Sequence, residues 1–127
     1  MSHFILICAG GALGTGGRYL VSTWALKLLG PAFPYGTLAV NLLGSFLVAA
    51  LMYLGTETTA VSTSTRVVLA SGVLGGFTTY SAFSYETMRY VQLGSWALAL
   101  SNVIITLFGS LAACMLGWSA AKWVYGG

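Results

Sequence analysis

Four apolar stretches, separated by short polar connections, make up almost all of the chain. They cover residues 4–28, 35–55, 66–92 and 96–123. Each is long enough to cross a bilayer, since a membrane-spanning α-helix needs about 20 predominantly apolar residues. The pattern therefore predicts an all-α membrane protein with four transmembrane helices in a single membrane domain, residues 1–127.

The third stretch departs from the pattern of a simple membrane helix. As one straight helix from Arg66 to Gln92 it would be about 40 Å long, whereas the bilayer core is about 30 Å thick. Near its middle, two glycines precede a run of hydroxyl and aromatic residues, and each glycine disfavours helix by about 1 kcal/mol relative to alanine. We expect the helix to break over residues 75–80. Unwound backbone at membrane depth is stable only where protein or water shields it, so the break predicts a buried ion or substrate site.

Polar side chains inside the second and fourth stretches have two interpretations. Asn41 interrupts the second stretch. Three polar residues of the fourth follow one another at four-residue spacing, which aligns them on one helix face: Asn102, Thr106 and Ser110. An unpaired amide in hydrocarbon costs several kcal/mol, so such groups must bond neighbouring helices or face water. They are either interhelical hydrogen bonds or the lining of a conduction pathway.

Charged residues are too rare to cover a soluble surface. They make up 6% of the chain, against roughly 25% in an average soluble domain. Arg18 interrupts the first stretch, and Glu86 lies in the third stretch three residues before Arg89. Glu86 is interpreted either as an ion pair with Arg89 or as a residue that couples transport to protons. The sequence contains no cluster of nucleophile, base and metal ligands, so an enzyme is not expected. No nucleic-acid partner is expected either.

Glycines and cysteines in the apolar stretches indicate packing. Gly10 and Gly14 lie four residues apart, a spacing that lets another helix backbone approach closely. Cys8 and Cys114 both fall within apolar runs, where we expect small buried hydrophobic side chains rather than a disulfide.

The basic residues are divided almost evenly between the two faces of a four-span layout. Lys27 and Arg89 fall on one face and Arg66 and Lys122 on the other, while Arg18 lies inside the first span. An excess of Lys and Arg marks the cytoplasmic face, so an even division gives almost no preferred orientation. The sequence thus permits insertion both ways up, and two oppositely inserted copies would acquire inverted symmetry as a dimer.

Four short motifs carry a resemblance to a known family. The third stretch contains Gly75-Gly76-Phe77-Thr78-Thr79-Tyr80-Ser81-Ala82-Phe83-Ser84. The other three stretches contain, in chain order, Gly16-Gly17-Arg18-Tyr19, Gly36-Thr37-Leu38-Ala39-Val40-Asn41 and Gly109-Ser110. Together these motifs resemble those of the Fluc (CrcB) fluoride channels, and the resemblance covers essentially the whole chain.

The resemblance implies an antiparallel, dual-topology homodimer with two fluoride pores and a structural sodium ion at the two-fold axis. By position, backbone carbonyls of Gly75 and Thr78 from both subunits would hold the sodium. Tyr80 and Phe83 correspond to the family's phenylalanine box along the pores, with Tyr80 standing in place of a phenylalanine.

The resemblance further implies a pore lined by polar groups, which would replace the water that fluoride loses. These groups are Asn41, Thr106 and Ser110, with Asn102 at the end of the stripe. Vestibule or structural roles are expected for Arg18, Thr37 and Glu86. The implied function is passive, selective export of fluoride across the inner (plasma) membrane, which lowers the cytoplasmic concentration. Its expected partners are fluoride, the lipid bilayer and a second copy of the chain.

Two other classes of membrane protein remain open. A small dual-topology multidrug exporter driven by protons needs a carboxylate at mid-membrane, and Glu86 is the only candidate. A purely structural assembly protein would move no ions. Fluoride efflux from reconstituted liposomes distinguishes these classes from a channel.

Overall fold

The computed structural model describes residues 2–126, and within that range its regular structure is entirely helical. The elements in chain order are α1 (Ser2–Leu29), α2 (Tyr35–Thr56), α3 (Thr63–Val67), a π-helical segment (Val68–Leu74), α4 (Gly75–Phe77), α5 (Tyr80–Gln92) and α6 (Trp96–Tyr125). The segments from α3 to α5 together form the third span. The predicted all-α class is confirmed for the described residues.

Within residues 2–126, four helical runs are long and apolar enough to cross a membrane: Ser2–Leu29, Tyr35–Thr56, Thr63–Gln92 and Trp96–Tyr125. The buried apolar side chains are few, namely Val40, Leu51, Tyr53, Ala99 and Ala121, whereas many large apolar side chains are exposed on the outside. An apolar exterior is expected when lipid is the solvent. The chain is therefore a multi-pass membrane protein.

Glycines let α1 lie directly against the backbone of the third span. A Cβ atom added to Gly14 would overlap the Val73 carbonyl oxygen, and one added to Gly76 would lie 2.5 Å from the carbonyl oxygen of Gly11. One added to Gly10 would lie 3.2 Å from the nitrogen of Val73. These distances confirm the prediction that Gly10 and Gly14 serve close helix packing.

A second close contact joins α2 to α6. A Cβ atom on Gly117 would overlap the Phe46 carbonyl oxygen, and one on Gly109 would lie 2.9 Å from the Leu42 side chain. The paired positions rise together along both helices, so α2 and α6 run in the same direction. This seam forms one wall of the groove described below.

The two cysteines are free, and they differ in burial. The half-buried Cys114 donates its thiol hydrogen to the Ser45 carbonyl oxygen at 3.3 Å across the α2–α6 seam. Cys8 is exposed on α1, contrary to the burial expected from its apolar neighbours. An apolar run inside a membrane protein faces lipid as readily as protein, so hydrophobicity alone does not predict burial there.

Helical hydrogen bonding in the third span is interrupted between α4 and α5. Thr78 (φ −86°, ψ 160°) and Thr79 (φ −150°, ψ 118°) both have extended backbone. They lie within the predicted residues 75–80, but Gly75–Phe77 still form a helical turn, so the interruption is narrower than predicted. The preceding segment Val68–Leu74 is π-helical, a rare and wider form that occurs frequently at functional sites.

Two glycines end helices at the same end of the molecule. Gly30 (φ +82°) follows α1 and Gly94 (φ +76°) follows α5, and both occupy the left-handed region that favours glycine. The last part of α5 lies beside the connection that follows α1, because the Tyr90 hydroxyl donates to the Ala32 carbonyl oxygen at 3.1 Å.

Candidate functional site

A groove of about 530 Å³ opens beside the interruption in the third span. Its walls come from α2, α6 and the stretch between the π-helical segment and α5. Five residues predicted to line a pore are in these walls: Asn41, Tyr80, Phe83, Thr106 and Ser110. Gly75 and Thr78, the predicted cation ligands, line it too. Among the described residues that line the groove, none carries a charge.

Asn41 binds the backbone of the interruption at two points. Its Nδ2 donates to the Thr79 carbonyl oxygen at 3.0 Å, and the Thr79 N–H donates to its Oδ1 at 2.8 Å. The side-chain amide thus takes the place of a neighbouring peptide group. An amide nitrogen carries two hydrogens, so one N–H of Asn41 remains for the groove. The two interpretations of Asn41, an interhelical bond and a pore contact, are compatible in this geometry.

Side-chain oxygens also replace two backbone carbonyls as acceptors for helical N–H groups. In a continuous α-helix the Thr79 N–H would donate to the Gly75 carbonyl, and the Ala82 N–H would donate to the Thr78 carbonyl. Instead, Thr79 N–H is bound by Asn41, and Ala82 N–H donates to the Thr79 Oγ1 at 3.2 Å, which caps α5. The carbonyl oxygens of Gly75 and Thr78 therefore lose their helical donors.

Two aromatic rings flank the groove at the start of α5. The ring centroids of Tyr80 and Phe83 are 5.8 Å apart and their planes meet at 62°, an edge-to-face arrangement. Tyr80 is 80% exposed, whereas Phe83 is half-buried. Aromatic edges carry the positive part of the ring quadrupole, so this pair can contribute positive potential to the groove.

The polar stripe of α6 is divided between the groove and a helix interface. Thr106 and Ser110 line the groove, but Asn102 does not. Asn102 is 1% exposed, and its Nδ2 donates to the Thr87 Oγ1 at 2.9 Å. The Thr87 hydroxyl in turn donates to the Phe83 carbonyl oxygen at 2.8 Å. Asn102 therefore ties α6 to α5 through Thr87.

Ser45 lines the groove although the sequence analysis did not single it out. It follows Asn41 by four residues and so lies on the same face of α2. Within residues 2–126 its hydroxyl has no hydrogen-bond partner, whereas the Thr78 hydroxyl donates to the Leu74 carbonyl oxygen at 3.0 Å. The spacing from Asn41 was the signal that could have identified Ser45.

A second cavity of about 450 Å³ lies at the end of the molecule that carries Gly30, and two further candidates, Thr37 and Glu86, line it. The Thr37 hydroxyl donates to the Glu86 Oε2 at 3.0 Å, and the buried Oε1 has no hydrogen-bond partner within residues 2–126. Glu86 thus bonds Thr37 and not Arg89, so the expected ion pair is absent there. Arg89 lines the same cavity, while the half-buried Arg18 lines neither.

Comparisons with known proteins cover nearly the whole chain. Residues 5–118 match the model of a family described as CrcB-like protein, Camphor Resistance (CrcB). The fluoride-specific ion channel FluC of Anaeromyxobacter dehalogenans is 48% identical over 99% of this chain and 100% of its own length. The proteins of the same name from Sorangium cellulosum and Agrobacterium fabrum are 47% and 42% identical, each over 96% of this chain and over 96% and 98% of their own lengths.

Proposed function

The chain belongs to the CrcB-like family, and from that membership we propose that it is a fluoride-selective channel. It lets fluoride leave the cell passively through a bacterial inner membrane and so lowers the cytoplasmic concentration. The observation that carries the proposal is the uncharged groove, where Asn41, Phe83 and Ser110 meet from three different spans. Near-full-length similarity to proteins named fluoride-specific ion channels supports it.

The groove has the chemistry that a small, strongly hydrated anion requires. Fluoride gives up water only where other donors replace it, and binding must stay weak enough for the ion to leave. The remaining N–H of Asn41 and the hydroxyls of Ser45 and Ser110 are such donors, and the rings of Tyr80 and Phe83 add positive edges. A carboxylate would repel the ion, and none lines the groove among the described residues.

A proton-coupled multidrug exporter is the less favoured alternative. It requires a carboxylate in the substrate path, and Glu86 was the only candidate. Glu86 lines the second cavity instead of the groove and accepts a hydrogen bond from Thr37. Its position favours a structural or vestibule role over proton coupling.

The working unit that we propose is an antiparallel homodimer with one groove per subunit. Two features support it. The nearly even division of Lys and Arg between the two faces permits both orientations. In a single chain the groove is open and Tyr80 is 80% exposed, so a second copy would be needed to close a pore.

A structural sodium ion at the two-fold axis belongs to the same proposal. The carbonyl oxygens of Gly75 and Thr78 are suited to it, because both have lost their helical donors at the interruption. One chain offers too few such oxygens to enclose a cation, and a two-fold partner would double them. When bound, sodium would supply a fixed positive charge that favours anions nearby.

Efflux from liposomes tests the proposed channel. We expect purified protein to release internal fluoride quickly and chloride barely at all, without any proton gradient. Comparable chloride efflux, or fluoride movement that needs a proton gradient, would contradict a selective passive channel. Empty liposomes provide the baseline.

Labelling tests dual topology. A single cysteine at the exposed Thr59, on a background in which Cys8 and Cys114 are replaced, should react with an impermeant reagent from both sides of the membrane. Reaction from one side only would exclude the antiparallel dimer. Lysines added to the connection at residues 57–62 should bias the orientation, because loop charge sets it.

A further inference from the structure

The interruption in the third span is held open by a side chain from another span. Thr79 is 8% exposed, so water has little access to its peptide groups. Its N–H and carbonyl are bound by the Asn41 amide at 2.8 Å and 3.0 Å. Buried peptide groups without partners are strongly disfavoured, so this amide stabilises the extended conformation of Thr79.

The same contact determines which carbonyl oxygen the third span releases. The Thr79 N–H is the group that would close the helical hydrogen bond to Gly75. While the Asn41 Oδ1 holds that N–H, the helix cannot reform across this position. The neighbouring carbonyl of Thr78 is released independently, because the Ala82 N–H is held by the Thr79 Oγ1.

We propose that Asn41 is a positioning residue in addition to a groove contact. From α2 it holds the interruption open, and it thereby keeps the Gly75 carbonyl oxygen available to a cation. The cation part of this inference rests on the proposed function. A single amide then serves both ions, since its remaining N–H is left for an anion in the groove.

The chemistry of the contact shows which part of the Asn41 amide holds each backbone group. Two opposite hydrogen bonds to one residue's backbone require a donor and an acceptor side by side. Aspartate keeps the acceptor for the Thr79 N–H and lacks the donor. Leucine has the same number and branching of side-chain heavy atoms and lacks both groups, so it removes the contact while it keeps a similar shape.

Thermal unfolding in detergent, without fluoride, tests the inference. We expect the parent protein to unfold several degrees higher in sodium chloride than in N-methylglucamine chloride, because a bound cation stabilises the folded state. In Asn41→Leu this sodium-dependent increment should be lost. In Asn41→Asp, which retains the acceptor for the Thr79 N–H, the increment should persist.

Asn102→Leu is the matched control. It removes another buried amide, but one that bonds Thr87 and makes no contact with the interruption. We expect it to lower the unfolding temperature equally in both salts and to keep the sodium increment. If the role of Asn41 were purely structural, Asn41→Leu would likewise lower the unfolding temperature equally in both salts and keep the sodium increment.

Three results would overturn the inference. They are a full increment in Asn41→Leu, loss of the increment in Asn41→Asp, and absence of any increment in the parent protein. The second remains decisive if Asn41→Leu does not fold. A parent protein that shows the increment but passes no fluoride would contradict the proposed channel while leaving the positioning role intact.

Discussion

Before the interruption the third span packs mainly against α1, and after it α5 packs against α6. The first contact is made by glycines that bring two backbones together, as at Gly14 and Gly76. The second is made by side chains such as Thr87 and Asn102, which bond across the helix interface. Close backbone packing holds the half before the interruption, and hydrogen bonds between side chains hold the half after it. We therefore expect substitutions in the first contact to prevent folding, and substitutions of residues that line the groove, such as Phe83, to alter ion flow.

The largest effect is expected from Gly14→Val. Its Cβ would overlap the Val73 carbonyl oxygen and lie 2.8 Å from the Phe77 nitrogen, and neither backbone atom can rotate away. Overpacking a well-packed contact costs about 1–3 kcal/mol and sometimes more, and a clash with backbone lies at the upper end. Size-exclusion chromatography and thermal unfolding should show loss of the folded protein. Gly16→Val is the control, since nothing lies within 4 Å of a Cβ at Gly16. If both variants folded equally well, the close contact at Gly14 would not be needed for folding.

The next largest effect is expected from Phe83→Ile. This change removes the aromatic edge beside the groove and should slow fluoride efflux severely. It also costs about 1–3 kcal/mol of packing, so the comparison uses only variants that fold like the parent protein. Tyr80→Phe keeps the ring and should retain most of the flux.

Two outcomes would change this account of the rings. A folded Phe83→Ile variant with undiminished efflux would mean that its ring serves packing alone. An inactive but folded Tyr80→Phe variant would mean that the phenol hydroxyl is the essential donor. Liposome efflux assays decide between them.

A smaller effect is expected from Ser45→Ala. Removal of one neutral hydrogen-bond donor corresponds to about 0.5–1.5 kcal/mol, or roughly a two- to tenfold reduction of fluoride flux. Ser119→Ala serves as the control, because Ser119 is exposed on α6 and lines neither cavity. Equal flux in the two variants would show that Ser45 does not contact the ion.

The sequence predicts features that depend on composition and local spacing. The four spans follow from the length and hydrophobicity of the apolar stretches. The role of Gly10 and Gly14 follows from their four-residue spacing, which favours a close helix contact over a ligand loop. Local signals were sufficient for both.

Features that depend on contacts between spans were predicted less well. Four-residue spacing overshoots one helical turn by about 40°, so Asn102 and Ser110 differ by about 80° in direction. That rotation turns Asn102 towards α5 and Ser110 towards the groove. The expected partner of Glu86 was the nearby Arg89, but the structure supplies Thr37, which is 49 positions away in the chain. The interruption lies after the glycines because Asn41 and the Thr79 side chain bind the backbone there.

The contact between Asn41 and Thr79 also has a consequence for biosynthesis. Chains are made from the N-terminus, so α2 reaches the bilayer before the third span does. The amide that receives Thr79 is therefore already in place when that residue leaves the ribosome. In a rearranged gene that encoded the third span ahead of α2, that span would enter the bilayer without Asn41, and the helix could close across Thr79. The order of the spans along the chain thus allows the interruption to form as the third span inserts.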